Sequence, residues 1–116
     1  MASTLFILNE APYGNERAYN ALRLTGALVA KEGQQVRVFL LGDAVACAKS
    51  GQKLPEGYYN LQLMLGKVLR KSEVALCSTC MEARGLTDAE LIAGAKRGTL
   101  AQLADWTAEA DKVLVF

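Results

Sequence analysis

Residues 73–85 read Glu-Val-Ala-Leu-Cys-Ser-Thr-Cys-Met-Glu-Ala-Arg-Gly. Glu73-Val74-Ala75-Leu76 is a short apolar run of the length and composition of a buried strand. Cys77 stands where that strand ends, Ser78 and Thr79 open a polar turn, and Cys80 follows. A strand that delivers a thiol to a turn puts chemistry at the carboxyl edge of a sheet, where open α/β folds bind their ligands.

The flanking sequence supplies the rest of such a sheet. Upstream, Asn60 is placed to cap a helix carrying Leu61, Met64, Leu65, Val68 and Leu69 on one face. Ser50 to Asn60 is polar and turn-rich, the longest irregular stretch, with the character of a lid or contact loop. Gln35 to Leu41 reads as a second strand ending at Gly42-Asp43, where Asp43 is placed to cap a short helix over Ala44 to Lys49. Cys47, inside the run AVACA, reads as core. Thr4 to Leu8 is the first strand. The loop Asn9 to Glu16, with Pro12, Tyr13 and Gly14, follows it along the same edge, either as a wall of the thiol site or as a plain turn with Tyr13 packed beneath it. Asn15 is a candidate cap for a helix with Ala18, Ala21, Leu22, Thr25, Leu28 and Val29 inward, stopped by Gly33.

Downstream, Thr87 to Glu90 has capping-box spacing and opens a short helix through Ile92. Gly94 to Gly98 is a turn or a very short strand. Thr99 to Gln102 repeats the capping-box spacing before a helix whose apolar face comprises Leu100, Leu103, Ala104, Thr107 and Ala108, with Trp106 assigned to packing or an interface. Lys112 to Phe116 is a closing strand. Strands alternating with helices predict a mostly parallel sheet covered on both faces, a three-layer α/β/α sandwich. The 116 residues fit one domain spanning 1–116.

Composition narrows the chemistry. The chain is 52% hydrophobic and 22% charged, and 13 basic against 12 acidic residues leave a net charge of +1. No basic field is present to hold a phosphate backbone, which argues against nucleic acid. The apolar run at the N-terminus is too short for a signal peptide or a membrane span, so a cytoplasmic setting is expected, with Cys47, Cys77 and Cys80 as reduced thiols. Histidine is absent, which removes Ser-His-Asp triads, Cys-His dyads and His-containing metal sites.

Cys77-Ser78-Thr79-Cys80 is therefore the chemical candidate. A CxxC serves as a redox dithiol, as half of a zinc site, or as two small packed side chains. Zinc needs four ligands, and the third cysteine is distant, so no metal is expected. Thioredoxin-like proteins carry the motif after the first strand; here it follows the third. Cys77 and Cys80 are the candidate catalytic residues. Candidate binding residues are Asn9, Tyr13 and Gly14 in the first loop, Asp43 after the second strand, Tyr58 in the long loop, and Ser78, Thr79 and Arg84 around the thiols. Ser78 or Thr79 is placed to cap a helical turn, and Arg84 to add positive charge that favours thiolate.

These segments, namely APYG, FLLGDAV, GQK with EGYYN, CSTCMEARG and GTLAQLADWTAEADKVLVF, together resemble the DsrE/DsrF-like family of small sulfur-relay proteins, closest to its YchN-type branch. The resemblance runs in order along nearly the whole chain. It implies a central five-stranded parallel sheet, with the fifth strand near Gly94 to Gly98, and assembly into homo-oligomers, trimers or hexamers, with thiol sites near subunit boundaries. It also implies a persulfide carrier or sulfurtransferase role, with sulfur donor and acceptor proteins as partners; no cofactor is expected. The persulfide cysteine of the relay members matches Cys77, while Cys80 belongs to the YchN-type CxxC. The second cysteine and the long loop depart from the dedicated relay pattern. Two further readings stand beside this one: an oligomeric binding module whose cysteines only pack, and a dithiol redox protein.

Overall fold

The structure, a computed structural model, describes residues 2–116. Its elements are β1 (Ala2–Leu8), α1 (Arg17–Val29), β2 (Gln34–Leu40), a 3₁₀ segment (Gly42–Ala48), α2 (Leu61–Val68), β3 (Glu73–Cys77), α3 (Ser78–Ala83), a 3₁₀ turn (Asp88–Glu90), β4 (Lys96–Gly98), α4 (Leu100–Glu109) and β5 (Lys112–Val115). The five strands form one sheet in the order β4-β3-β2-β1-β5, and every pairing is parallel. All their carboxyl ends therefore share one edge, and Cys77 stands on it.

Side-chain alternation divides the strands between two cores. Phe6, Leu8, Val38, Leu40, Val74 and Leu76 pack with α1, α2, the 42–48 segment and Met81 of α3. Leu5, Phe39 and Ala75 face the other way, onto Leu103 and Trp106 of α4. Both faces are covered, as a three-layer sandwich requires, but unequally. A single helix serves the second face, and Leu100, Val113 and Val115 stay 75%, 37% and 63% exposed.

Local signals explain most boundaries. The Asn60 side chain accepts the Leu63 N–H at 3.2 Å and caps α2. The Thr87–Glu90 capping box forms, and the Thr99 hydroxyl accepts the Gln102 N–H at 3.1 Å to start α4. Thr25 is buried in α1 because its hydroxyl is satisfied by the Ala21 carbonyl at 2.8 Å.

Several expectations are corrected. The first helix begins at Arg17, so Asn15 is not its cap, although Asn15 Oδ1 accepts the Arg17 N–H. That helix ends at Val29, and Gly33 serves a left-handed turn (φ +79°) entering β2. The turn after Thr87 closes at Glu90 because Leu91 instead bridges to Lys49. On α4 the buried face is Leu103 and Trp106 rather than one including Leu100, whose side of the helix has no layer above it. The 50–60 loop is an anchored strap: the Gln52 amide donates to the Cys47 and Lys49 carbonyls at 3.0 and 2.9 Å, and its backbone N–H to Gln62. Among the described residues no helix is long and apolar enough to cross a membrane.

Candidate functional site

Cys77 ends β3 and is itself the cap of α3, a place the sequence reading gave to Ser78 or Thr79. Its Sγ accepts the Cys80 N–H at 3.4 Å and lies 3.2 Å from Thr79 Oγ1. Strand alternation aims this thiol, like Ala75, toward the α4 face. Cys80 packs toward the opposite core. The pair thus straddles the end of the strand.

The two thiols are electrostatically unequal. Burial opposes ionisation of Cys77, but hydrogen bonds from the Cys80 and Thr79 side chains and backbone N–H groups outweigh it and bring its pKa below the ordinary thiol value. Cys80 moves the other way: the Cys77 sulfur beside it and burial raise its pKa, against the Gly42 N–H and the charge of Arg84. Cys47 is fully buried, and burial pushes its pKa up to about 12. One thiolate is favoured, and it is Cys77.

Beside Cys77 opens a cleft of about 250 Å³, walled by Phe39, Leu41, Gly98 and Leu100 with Ser78, Thr79 and Thr99 at its mouth. No charged side chain lines it. Gly98 pairs with Cys77 across the β3–β4 ladder. A Cβ there would lie 3.0 Å from Phe39 Cε2 and 2.5 Å from Gln102 Oε1, so glycine is required for the close approach.

On the other side of the strand end, Arg84 donates from Nε and Nη2 to Asp43 Oδ1 at 3.0 and 2.9 Å, and from Nη1 to the Cys80 carbonyl at 3.1 Å. Asp43 therefore clamps Arg84 rather than capping the 42–48 segment, whose cap position is Leu41. Asn9 joins through its backbone: its carbonyl lies near Gly42, which takes φ +55° there, and its own N–H bonds the Phe116 carbonyl.

The structure brings together Cys77, Ser78, Thr79, Cys80, Asp43 and Arg84, with Asn9 at the border. Tyr13 and Tyr58 belong to a separate aromatic group with Tyr59, their ring centroids 6.4 Å apart. The Tyr13 hydroxyl donates to Gln52 and accepts the Leu61 N–H at 3.0 Å, which fastens the strap to α2. Gly14 is an exposed turn residue with φ +102°. Sequence reasoning missed Arg97, whose Nη1 donates to Ser78 Oγ at 2.8 Å and whose Nε bonds Asp88. It fixes the first residue of α3, and only knowledge that residues 96–98 form a strand beside β3 would have found it. Among the described residues no cluster of metal-ligating side chains occurs.

A five-stranded parallel α/β sandwich with a CxxC at the carboxyl end of its third strand defines a class of small α/β proteins. The chain belongs to the DsrE/DsrF-like family, whose profile matches residues 2–116. It is 45% identical to Protein YchN of Escherichia coli, covering the whole of both chains, and 40% identical to protein MK0008 of Methanopyrus kandleri, covering 95% and 90%. The crystal structure of the Escherichia coli YchN protein superposes over the full length of both chains with a TM-score of 0.95. Protein MTH1491 of Methanobacterium thermoautotrophicum, at 12% identity and TM-score 0.78, shares the fold over the full length of both chains.

Proposed function

We propose that this protein is a sulfane-sulfur carrier, with Cys77 as the persulfide site and Cys80 as its resolving partner. The observation that carries this reading is Cys77 Sγ in the cap position of α3, held by the Cys80 N–H and the Thr79 hydroxyl at the mouth of an uncharged cleft. Loading needs no base: the Cys77 thiolate attacks the outer sulfur of a donor persulfide R–S–SH, forms Cys77–S–SH and expels R–S⁻. An acceptor thiolate then attacks the outer sulfur, takes it as its own persulfide and returns Cys77 as thiolate. Alternatively Cys80, as thiolate, attacks the inner sulfur, closes a Cys77–Cys80 disulfide and releases HS⁻. Two electrons from a dithiol reductant then restore both thiols.

Partners in this reading are a donor and an acceptor bearing thiols, and further copies of the chain. The exposed Leu100 at the cleft, and Val113 and Val115 on the far edge strand β5, supply apolar surface for such self-association. Intact-protein mass spectrometry after treatment with a sulfane-sulfur donor tests the assignment. The expected result is a gain of about 32 Da, one sulfur atom, lost in Cys77→Ser and retained in Cys80→Ser. An adduct that survives Cys77→Ser overturns it.

A further inference from the structure

At the opposite edge of the sheet, where α1 leads into β2 and α2 into β3, an open groove of about 430 Å³ runs between the two helices. Its volume lies within the range of small-molecule sites, roughly 300–1,000 Å³. Gly26, Met64 and Val68 contribute to its apolar wall. Four cations surround it, Arg23, Lys67, Arg70 and Lys71, and no carboxylate lines it.

Two features mark this groove. The first is charge. Among the described residues the four groove cations make no ion pair, and neither do Lys31, Lys53, Lys96 and Lys112 away from it; what sets the groove apart is that four cations converge on one lining with no carboxylate among them. Arg23 is held over the Tyr19 ring at 5.4 Å, with Nη1 donating to Asn20. Complementing the α2 dipole accounts for cations near its C-terminus but not for Arg23 on α1. The second feature is Gly26. It sits inside α1 with ordinary helical φ, and an added Cβ would meet nothing within 4 Å. Glycine inside a helix costs about 1 kcal/mol relative to alanine, and here neither backbone nor packing asks for it. Its missing side chain keeps the groove open.

We propose that this groove binds a small organic anion with an apolar body, such as a medium-chain carboxylate. The cations take the carboxylate, and the chain lies over Gly26 against Val68 and Met64, whose flexible thioether adapts to irregular apolar ligands. The site shares no residue with the Cys77 cleft and stands or falls independently of sulfur chemistry.

Calorimetric titration with decanoate tests it, with decanol as the uncharged probe of the same chain length. The expected result is saturable binding of one decanoate per chain, and binding of decanol at least about tenfold weaker, the scale of one lost charge-assisted hydrogen bond. Gly26→Leu, which fills the groove with a better helix former, is expected to abolish decanoate binding while raising the melting temperature. The surface double variant Lys67→Gln, Arg70→Gln is expected to bind about tenfold more weakly with a flatter salt dependence. Absence of saturable binding, equal affinity for decanol, or undiminished binding by either variant overturns the proposal.

Discussion

At the scale of single residues, the three cysteines show how position alone assigns roles. Cys47, fully buried and with a pKa pushed up to about 12, is held as a neutral thiol at pH 7. Cys77 differs because a helix cap needs an acceptor, and a sulfur in that place accepts best as thiolate. Its pKa lies below the ordinary value in the folded state, so ionised Cys77 stabilises the fold above the unfolded thiol pKa, a contribution lost as pH falls through the folded value. Its alkylation rate should therefore reach half-maximum at lower pH than that of a cysteine peptide under the same conditions. Thr79→Val removes one donor at 3.2 Å and should move that midpoint upward. Cys47 serves as an internal control that reacts only on unfolding. A Thr79→Val midpoint equal to that of wild type would remove the hydroxyl from the account.

At the scale of elements, α3 is too short to stand on its own propensity. It is tied from outside by Arg97 on β4 at its first residue and by Arg84 at its last turn. The edge strand β4 consequently controls the thiol as much as β3 does. Gly98→Ala should lower stability by about 1–3 kcal/mol, as overpacked sites do, because Gln102 can swing away but the buried Phe39 ring cannot. Urea unfolding measures that loss. Cys77 alkylation in the same variant should slow, since Phe39 and Gly98 both wall the cleft. These elements also mark what the sequence disclosed. Strands β1, β2, β3 and β5 announced themselves as apolar runs, and Asn60 and Thr99 as caps, because those signals are local. The three residues of β4 carry no periodicity, and the pairing of Gly98 with Cys77 or of Arg97 with Ser78 depends on a strand order that no short window contains. Likewise Tyr13 and Tyr58 look like binding residues in a loop, yet their contacts fasten the strap from 50 to 60.

At the scale of the molecule, the unequal layers matter most. With α4 alone over the second face, Leu100 and Val115 project from the side of the sheet that bears the cleft. Self-association through that surface predicts a solution mass above that of one chain by light scattering. Leu100→Asp should reduce it while leaving the melting temperature of the isolated fold nearly unchanged, because the side chain is 75% exposed. A monomeric wild type would reject the surface as an interface. The strand order has a separate consequence for how the chain reaches this state. β1 is hydrogen-bonded on both sides, to β2 close by in sequence and to β5 at a separation of 108 residues. Closure over such a span makes folding slow. During synthesis β1 can pair with β2 long before Lys112 exists, and its other edge then stays bare, a template for any passing strand. A ribosome that pauses ahead of the last strand therefore holds Thr4 to Ile7 open to neighbouring nascent chains.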